Sequence, residues 1–208
     1  MKILVADDHQ IVRKGLQLII ARRPDWLIAA EAANAAELYS ALAREHFDVL
    51  VLDLRLGGVS GVDVLRSIRH EHAHLPVLML SMHPEEQYAM HCLRAGASGY
   101  VQKDATADEI LDAIERVASG RRWVSTVVAE QLANELAHPH EGRPHERLSI
   151  RESEVFRRLA IGETVTAISK AMQLSVKTVS TYRTRILEKT GFQSNADIVA
   201  YAIRNNLL

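Results

Sequence analysis

The first 120 residues alternate between short apolar runs and segments with helical periodicity. Continuous apolar runs are typical of parallel strands that helices cover on both faces. Two of the helical segments begin with capping boxes, Asn34-x-x-Glu37 and Thr106-x-x-Glu109. Five strands alternating with five helices predict right-handed βαβ units and an α/β doubly wound sheet. The predicted strands are residues 3–6, 27–30, 49–52, 77–80 and 99–101.

Residues 148–208 instead carry four short helical patterns. The first and the fourth begin with capping boxes, at Ser149 and Ser194. The second, at about residues 165–172, is joined to the third through a turn at Gln173 and Leu174. Two helices joined in this way predict a helix-turn-helix.

The third of these helices has a polar and cationic face opposite its apolar one. Lys177, Thr181 and Thr184 lie on that face, with Ser180 and Arg185 at its margins. Small hydrogen-bonding side chains beside cations suit a helix that enters a DNA major groove. Periodicity alone equally allows a plain helical bundle with a solvated polar face.

Residues 121–147 separate the two predicted domains, a first domain at 1–120 and a second at 148–208. Residues 121–137 gain helical character toward their end, whereas the prolines and glycine of residues 138–147 predict an exposed tether. Six histidines are expected to be solvated rather than to bind metal. They are His138, His140 and His145 in the tether and His70, His72 and His74 on the third helix of the first domain.

Charge and cysteine content bear on the partner of the protein and on its location in the cell. Residues 1–120 contain 12 Lys and Arg against 17 Asp and Glu, whereas residues 148–208 contain 9 against 5. The basic second region favours a nucleic acid partner, although charge alone equally allows ordinary surface variation. A single Cys92 excludes an intramolecular disulfide, and no apolar run approaches the roughly 20 residues that span a bilayer. We therefore expect a cytoplasmic protein with no membrane partner.

Polar residues follow the predicted strands where each strand ends. Asp7 and Asp8 follow the first strand, Asp53 ends the third, Ser81 ends the fourth and Lys103 lies just beyond the fifth. Parallel topology brings these ends to one edge of the sheet. Crowded carboxylates need a compensating cation, and Mg²⁺ prefers oxygen ligands of this kind. Each residue alone is typical of a turn, a cap or a surface, but the whole set predicts phosphoryl transfer to a carboxylate.

Residues 1–120 resemble the receiver domain of two-component response regulators. The resemblance lies in ADD (6–8), LDLRLGGVSG (52–61), LS (80–81) and AGASGYVQK (95–103). It implies a flavodoxin-like fold with strand order 2-1-3-4-5 and Asp53 as the phospho-acceptor. It further implies that Asp8, Asp53 and the backbone carbonyl of Arg55 bind Mg²⁺, with Asp7 acting largely through water.

The same resemblance assigns the residues that respond to phosphorylation. Ser81 and Lys103 would contact the phosphoryl group, and Tyr100 matches an aromatic switch whose ring turns inward when Ser81 moves. One departure is Gly57, where the family usually has proline. Two consecutive glycines, Gly57 and Gly58, predict a freer loop after the acceptor and slower or less stable phosphorylation.

Residues 148–208 resemble the LuxR-type helix-turn-helix, through LSIRESEVFRRLAIGE (148–163) and ISKAMQLSVKTVSTYRTRILEKTGFQSNADIVAYAIRNNLL (168–208). Many relatives carry lysine where this chain has Ser180, so the operator cannot be transferred from a relative. By position, seven residues would contact DNA. Ser180, Thr181 and Thr184 would face bases, and Lys177, Arg183, Arg185 and Lys189 would contact phosphates.

The two resemblances together imply a response regulator of the NarL/FixJ class. A sensor histidine kinase would phosphorylate Asp53, and the receiver would then free the helix-turn-helix or dimerise it on promoter DNA. Two alternatives stay open. A phosphohydrolase with an aspartyl nucleophile is disfavoured because Arg55, not a second acid, stands two residues after Asp53. A constitutive DNA binder with a vestigial receiver is disfavoured by the intact acceptor set.

Overall fold

The computed structural model describes residues 1–137, 144–205 and 207, with two compact units. The first unit is Met1–Asn134 and the second is Glu135–Leu208. The division between them therefore falls within the predicted linker, residues 121–147. Most of the predicted tether, including His138 and His140, lies outside the described residues.

The first unit is built on a parallel sheet of five strands. Numbered in chain order among themselves, these strands lie in the order 2-1-3-4-5 across the sheet, so the predicted α/β doubly wound sheet with that order is confirmed. Two further short strands lie outside this sheet. The register sets Asp53 beside Leu80, and Ser81 beside Gln102. The strands are β1 (Lys2–Ala6), β2 (Leu27–Ala32), β3 (Val49–Asp53), β6 (Val77–Ser81) and β7 (Gly99–Gln102).

The two short strands form an antiparallel hairpin directly after β3. They are β4 (Arg55–Leu56) and β5 (Val59–Ser60). Gly57 and Gly58 connect them with φ angles of 57° and 84°. Positive φ at both central residues is the requirement of a tight type I′ hairpin turn, and glycine meets it without strain. The Gly57–Gly58 segment, predicted as a freer loop, is thus a paired hairpin.

Five helices cover the sheet, and the two with predicted capping boxes begin directly after those caps. The side chains of Asn34 and Thr106 accept hydrogen bonds from the backbone N–H groups of Glu37 and Glu109. The third helix ends at Glu71, so His72 and His74 lie beyond it and the prediction that placed them on it is wrong. The helices are α1 (Gln10–Ile20), α2 (Ala35–Arg44), α3 (Gly61–Glu71), α4 (Glu85–Arg94) and α5 (Ala107–Ala118).

The start of the predicted linker adds a one-residue pairing to the edge of the sheet. Trp123 forms a parallel bridge with Gly99, because its N–H donates to the Ser98 carbonyl at 3.1 Å and its carbonyl accepts from Tyr100 N–H at 3.3 Å. A Cβ on Gly99 would lie 2.8 Å from the Trp123 oxygen, so glycine permits this approach. The next helix, α6 (Thr126–Ala137), follows directly.

The second unit is a bundle of four helices after a short 3-10 helix at Pro144–Arg147. Side chains of Ser149, Thr164, Ser175 and Ser194 cap the helices in turn. Within residues 1–137, 144–205 and 207, no helix has the length and apolarity needed to cross a membrane. The helices are α7 (Ile150–Ala160), α8 (Val165–Ala171), α9 (Val176–Thr190) and α10 (Asn195–Arg204).

One predicted tether residue packs onto this bundle. The ring of His145 is partly buried, and its Nδ1 lies 2.7 Å from the hydroxyl of Tyr201. The prediction of a solvated histidine is therefore wrong for His145. The spacing of residues 138–147 did not reveal this contact because Tyr201 is far away in the sequence.

Candidate functional site

Parallel topology brings four charged side chains of the first unit together at the carboxyl ends of the strands. The Nζ atom of Lys103 is 2.6 Å from Asp7 Oδ2 and 2.9 Å from Asp53 Oδ2. Asp8 joins the same cluster of potential ligand atoms, in which every atom is within 4.8 Å of the others. The structure thus places Asp7, Asp8, Asp53 and Lys103 in one pocket.

Burial controls the electrostatics of this pocket. Asp7 is 2% exposed and Asp53 is 5% exposed. Desolvation raises the pKa of Asp53 above its ordinary value, and the hydrogen bond from Lys103 offsets only part of this effect. The nearby Asp7 carboxylate raises the pKa of Asp53 further. Additional positive charge would therefore stabilise the ionised pocket.

The β4–β5 hairpin contributes a backbone contact to Asp8. The N–H of Gly57 donates to Asp8 Oδ2 at 3.2 Å. A proline at this position would have no N–H to donate and could not adopt the observed φ of 57°. Arg55, whose carbonyl is a predicted ligand, lies at the start of the hairpin. At its end, Gly61 packs so closely that a Cβ would lie 2.1 Å from the Asp53 carbonyl oxygen.

The donor set fits a hard divalent cation such as Mg²⁺. Three carboxylates supply the oxygen ligands that this ion prefers. Asp7 Oδ2 is buried and accepts no hydrogen bond with acceptable geometry, although Lys103 Nζ is close enough for an ion pair. A buried oxygen in this situation is suited to a cation or to a water bound to one.

Two residues that the sequence analysis did not single out also shape the pocket. His9 Nδ1 is 2.7 Å from Asp8 Oδ1 and 3.2 Å from Asp7 Oδ1. Arg13 donates to the Asp7 carbonyl at 2.7 Å and pairs with Glu31 at 3.0 Å. The position of His9 directly after the aspartate pair was the available signal, whereas nothing in local spacing indicates the Arg13 contacts.

Ser81 and Tyr100 lie on the neighbouring strands β6 and β7, where Tyr100 pairs with Met79, two residues before Ser81. The Ser81 side chain is buried, and its Oγ accepts from the N–H of His83 at 3.1 Å. The ring of Tyr100 is 2% exposed, and its hydroxyl donates to the His83 carbonyl at 2.8 Å. Burial raises the pKa of Tyr100, and a hydrogen bond with Ser81 opposes part of that rise. The ring therefore lies inward, and its hydroxyl is bonded to Ser81 at the end of β6 and to His83 in the following loop.

In the second unit, α9 presents most of the predicted DNA-contacting residues to solvent. The hydroxyls of Thr181 and Thr184 donate to the carbonyls of Lys177 and Ser180 one turn earlier, so their lone pairs still face outward. Small hydroxyl groups beside cations give this surface the chemistry needed to contact DNA. The exposed residues are Lys177, Ser180, Thr181, Thr184, Arg185 and Lys189.

Two of the predicted contacts, Arg183 and Lys189, have partners within the protein. Arg183 Nε donates to Asn195 Oδ1 at 2.7 Å. Lys189 Nζ lies 2.6 Å from a carboxylate oxygen of Glu152, which is 2% exposed. Burial would raise the pKa of Glu152, but hydrogen bonds from Lys189 and Ser149 hold that pKa below its ordinary value. These two cations therefore help to hold α9 against α10 and α7.

Family models match both units. The response regulator receiver domain matches residues 3–115, and the model of bacterial regulatory proteins of the luxR family matches residues 146–202. The oxygen regulatory protein NreC of Staphylococcus haemolyticus is 34% identical over 215 aligned positions, covering 100% of this chain and 99% of that protein. NreC of Staphylococcus aureus shows the same identity and coverage.

Solved structures agree with these matches. A LuxR-family two-component response regulator from Aurantimonas sp. SI85-9A1 is 38% identical, with a TM-score of 0.60, covering 66% of this chain and 98% of its own. RcsB from Salmonella enterica serovar Typhimurium, bound to a promoter in the presence of phosphomimetic BeF3⁻, is 25% identical, covers 97% of each chain and has a TM-score of 0.61. The chain therefore belongs to the NarL/FixJ-type response regulators, transcription factors rather than enzymes, which join a receiver to a LuxR-type DNA-binding domain and regulate transcription in response to phosphorylation.

Proposed function

We propose that Asp53 accepts a phosphoryl group from the phosphohistidine of a sensor kinase, and that this controls promoter binding by α9. In the transfer, the phosphorus–nitrogen bond of the donor breaks and a phosphorus–oxygen bond to the Asp53 carboxylate forms. The products are an acyl phosphate on Asp53 and the released imidazole of the kinase. A receiver joined to a LuxR-type domain indicates both partner classes, a sensor kinase and DNA.

The contact between Lys103 and Asp53 is the observation that carries this proposal. A buried ammonium group 2.9 Å from the carboxylate supplies a fixed charge for the phosphoryl oxygens. Ser81 lies at the end of the adjacent strand and is the proposed second contact. Tyr100, which is hydrogen bonded in the same segment as Ser81, is the proposed aromatic switch.

We assign the predicted Mg²⁺ site to Asp8, Asp53 and the backbone carbonyl of Arg55, with Asp7 acting largely through water. When bound, Mg²⁺ supplies positive charge that neutralises the carboxylates and the incoming phosphoryl oxygens. The raised pKa of the buried Asp53 supports this assignment, because the ionised carboxylate needs more compensation than Lys103 gives it.

For DNA, we propose that α9 enters the major groove with its N-terminal half. Exposed Ser180, Thr181 and Thr184 are the proposed base contacts, and exposed Lys177 and Arg185 are the proposed phosphate contacts. Arg183 and Lys189 stay in the proposal as secondary phosphate contacts. Arg183 already contacts Asn195 and Lys189 already contacts Glu152, so each of these two cations would have to contact a phosphate in addition to its partner in the protein.

Phosphorylation is proposed to free α9, to dimerise the chain, or to do both. A two-fold dimer would place two copies of α9 on paired half-sites of the operator. The RcsB structure with a promoter and a phosphate mimic supports DNA binding by a similar chain in that state. A cytoplasmic location belongs to the same proposal, since promoter DNA of a bacterial cell lies there.

Phosphorylation is tested with the full chain, acetyl phosphate and Mg²⁺, followed by intact-protein mass spectrometry. We expect one phosphoryl group on the wild-type protein and none on Asp53→Asn. Asp63→Asn, which neutralises an exposed carboxylate on α3, is the matched control and should be phosphorylated normally. Equal phosphorylation of wild type and Asp53→Asn would refute the assignment of the acceptor.

The DNA-binding face is tested by the salt dependence of binding to DNA selected from a random pool. Lys177→Ala with Arg185→Ala should weaken binding and reduce the salt slope by about 1 for each DNA phosphate that the variant no longer neutralises. Lys14→Ala, an exposed cation on α1, should leave both quantities unchanged. An unchanged slope in the double variant would count against the assigned face.

A further inference from the structure

We propose that His9 is a nitrogen ligand that lets this pocket bind a late first-row divalent metal ion, such as Ni²⁺ or Zn²⁺, in competition with Mg²⁺. The inference rests on the proposed use of the pocket as a cation site, but not on phosphorylation of Asp53. His9 is the one nitrogen donor in the described ligand cluster, which otherwise contains the carboxylates of Asp7, Asp8 and Asp53.

The separations around His9 match those of a single coordination shell. Metal–ligand bonds of about 2.1 Å place neighbouring ligand atoms of an octahedron about 3 Å apart and opposite ones about 4.2 Å apart. His9 Nδ1 is 2.7 Å from Asp8 Oδ1, 3.2 Å from Asp7 Oδ1 and 4.0 Å from Asp53 Oδ2. All three separations fall within the range that one coordination shell spans, so His9 Nδ1 is close enough to share an ion with these carboxylate oxygens.

Accessibility and rigidity also favour a ligand role for His9. Its side chain is 63% exposed, so an ion reaches Nδ1 from solvent at the mouth of the pocket. Its backbone N–H donates to Asp7 Oδ1 at 2.8 Å, which holds the residue beside the carboxylates. Lys103 contacts the Oδ2 atoms of Asp7 and Asp53, whereas His9 approaches Asp7 through Oδ1. The ammonium group of Lys103 and a metal ion near His9 would therefore contact different oxygens of Asp7, whereas they would share Oδ2 of Asp53.

Ligand chemistry gives the choice of metal. Imidazole nitrogen suits Zn²⁺, Ni²⁺ and Cu²⁺, and affinity for mixed nitrogen and oxygen sites rises along the late first-row ions. Mg²⁺ prefers oxygen ligands and retains several waters. Replacement of His9 should therefore weaken binding of Ni²⁺ much more than binding of Mg²⁺.

The test is isothermal titration calorimetry on the full chain at about pH 8. Ni²⁺ is titrated with and without saturating Mg²⁺, because only Ni²⁺ bound in the acidic pocket competes with Mg²⁺. In His9→Asn we expect the Mg²⁺-sensitive Ni²⁺ binding to weaken by at least about ten-fold, with the Mg²⁺ affinity changed less than about three-fold. His9→Gln should behave in the same way, and His72→Asn should match wild type, since His72 lies outside the cluster.

Two results would overturn the inference. Equal loss of Ni²⁺ and Mg²⁺ affinity in His9→Asn would mean that His9 only orients Asp7 and Asp8. Ni²⁺ binding that is insensitive to Mg²⁺ or to His9 would place the ion elsewhere. Failure of the proposed function would be seen in a different experiment, as the absence of phosphorylation by acetyl phosphate. That result would not change how the affinities for Ni²⁺ and Mg²⁺ are compared.

Discussion

At the scale of single residues, Lys103 is the group that allows two carboxylates to be buried together. Its side chain is 5% exposed, and its Nζ contacts both Asp7 and Asp53. Buried ions are tolerated when a partner compensates them, and loss of one partner leaves uncompensated charge. The same residue thus serves both the stability of the pocket and the proposed contact with the phosphoryl group.

Lys103→Met is therefore expected to lower the free energy of unfolding by about 3 kcal/mol. The measurement is urea denaturation in the presence of EDTA. Adding Asp53→Asn to this variant should recover part of the loss, because only one buried carboxylate then remains. Lys14→Met, on the exposed surface of α1, should change stability by less than about 0.5 kcal/mol. Wild-type stability in Lys103→Met would contradict this account.

Asp53 itself is expected to reduce stability at neutral pH. Its folded-state pKa lies above the ordinary value of 3.8, so the unfolded chain releases this proton at lower pH than the folded chain. The resulting loss of stability is absent below about pH 3.8, grows toward the folded-state pKa and persists above it. Asp53→Asn should therefore raise Tm at pH 7 in EDTA, and this gain should vanish in acid. A lower Tm at pH 7 would contradict the prediction.

The convergence of these charged residues was predictable, since parallel strands bring their carboxyl ends to one edge. The contacts from His9 and from the Gly57 amide were not. The first depends on the rotamer of an exposed side chain, and the second depends on a turn whose geometry is not encoded in apolar spacing. Sequence patterns thus predicted the members of the pocket better than the hydrogen bonds that orient them.

At the scale of elements, the main strands and helices follow closely from apolar runs and caps. Predicted strands at 27–30 and 99–101 extend by one or two residues in β2 and β7, because pairing continues past the apolar run. The β4–β5 hairpin and the Trp123 bridge were missed, since strands of one or two residues have no periodicity. Tyr100, the proposed switch, is bonded to Trp123 through its backbone N–H, which ties that strand to the start of the linker.

Gly57→Pro tests the structural role of this hairpin. It restores the residue usual in the family, but we expect it to lower stability by about 1 to 3 kcal/mol, since proline cannot adopt a φ of 57°. It should also weaken Mg²⁺ binding, because Asp8 loses the Gly57 N–H. Gly15→Ala, in the open space on α1, should be neutral or stabilising by about 0.5 to 1 kcal/mol. Unchanged stability and Mg²⁺ affinity in Gly57→Pro would show that the loop is not ordered by this turn.

At the scale of the whole molecule, the acidic receiver contains the proposed phosphorylation site and the basic helical bundle contains the proposed DNA-binding helix. The charge balance and the two motif sets indicated this organisation, and the family matches bear it out. Roles of individual cations were harder to predict. Lys177 and Lys189 both belong to α9, yet only Lys189 is paired with a buried acid of another helix. Such pairs join residues distant in sequence, so helical spacing does not reveal them.

These two lysines should differ in their effect on stability. Lys189→Ala should lower the stability of the second unit by about 1 to 2 kcal/mol, since Glu152 loses its partner while solvent screens the exposed part of the lysine. Lys177→Ala should leave stability unchanged and weaken DNA binding. Denaturation and fluorescence anisotropy with labelled DNA measure the two effects. Equal stability of both variants would show that the Glu152 interaction contributes nothing.

The central claim is that phosphorylation of Asp53 controls DNA binding. Its most direct test is the Kd of the full chain for selected DNA, with and without BeF3⁻ and Mg²⁺, in wild type and in Asp53→Asn. We predict that BeF3⁻ tightens binding by the wild-type protein by about 5- to 150-fold, the usual range of such coupling, and leaves Asp53→Asn unchanged. The same Kd in all four conditions would contradict the account and identify a constitutive DNA binder with a vestigial receiver.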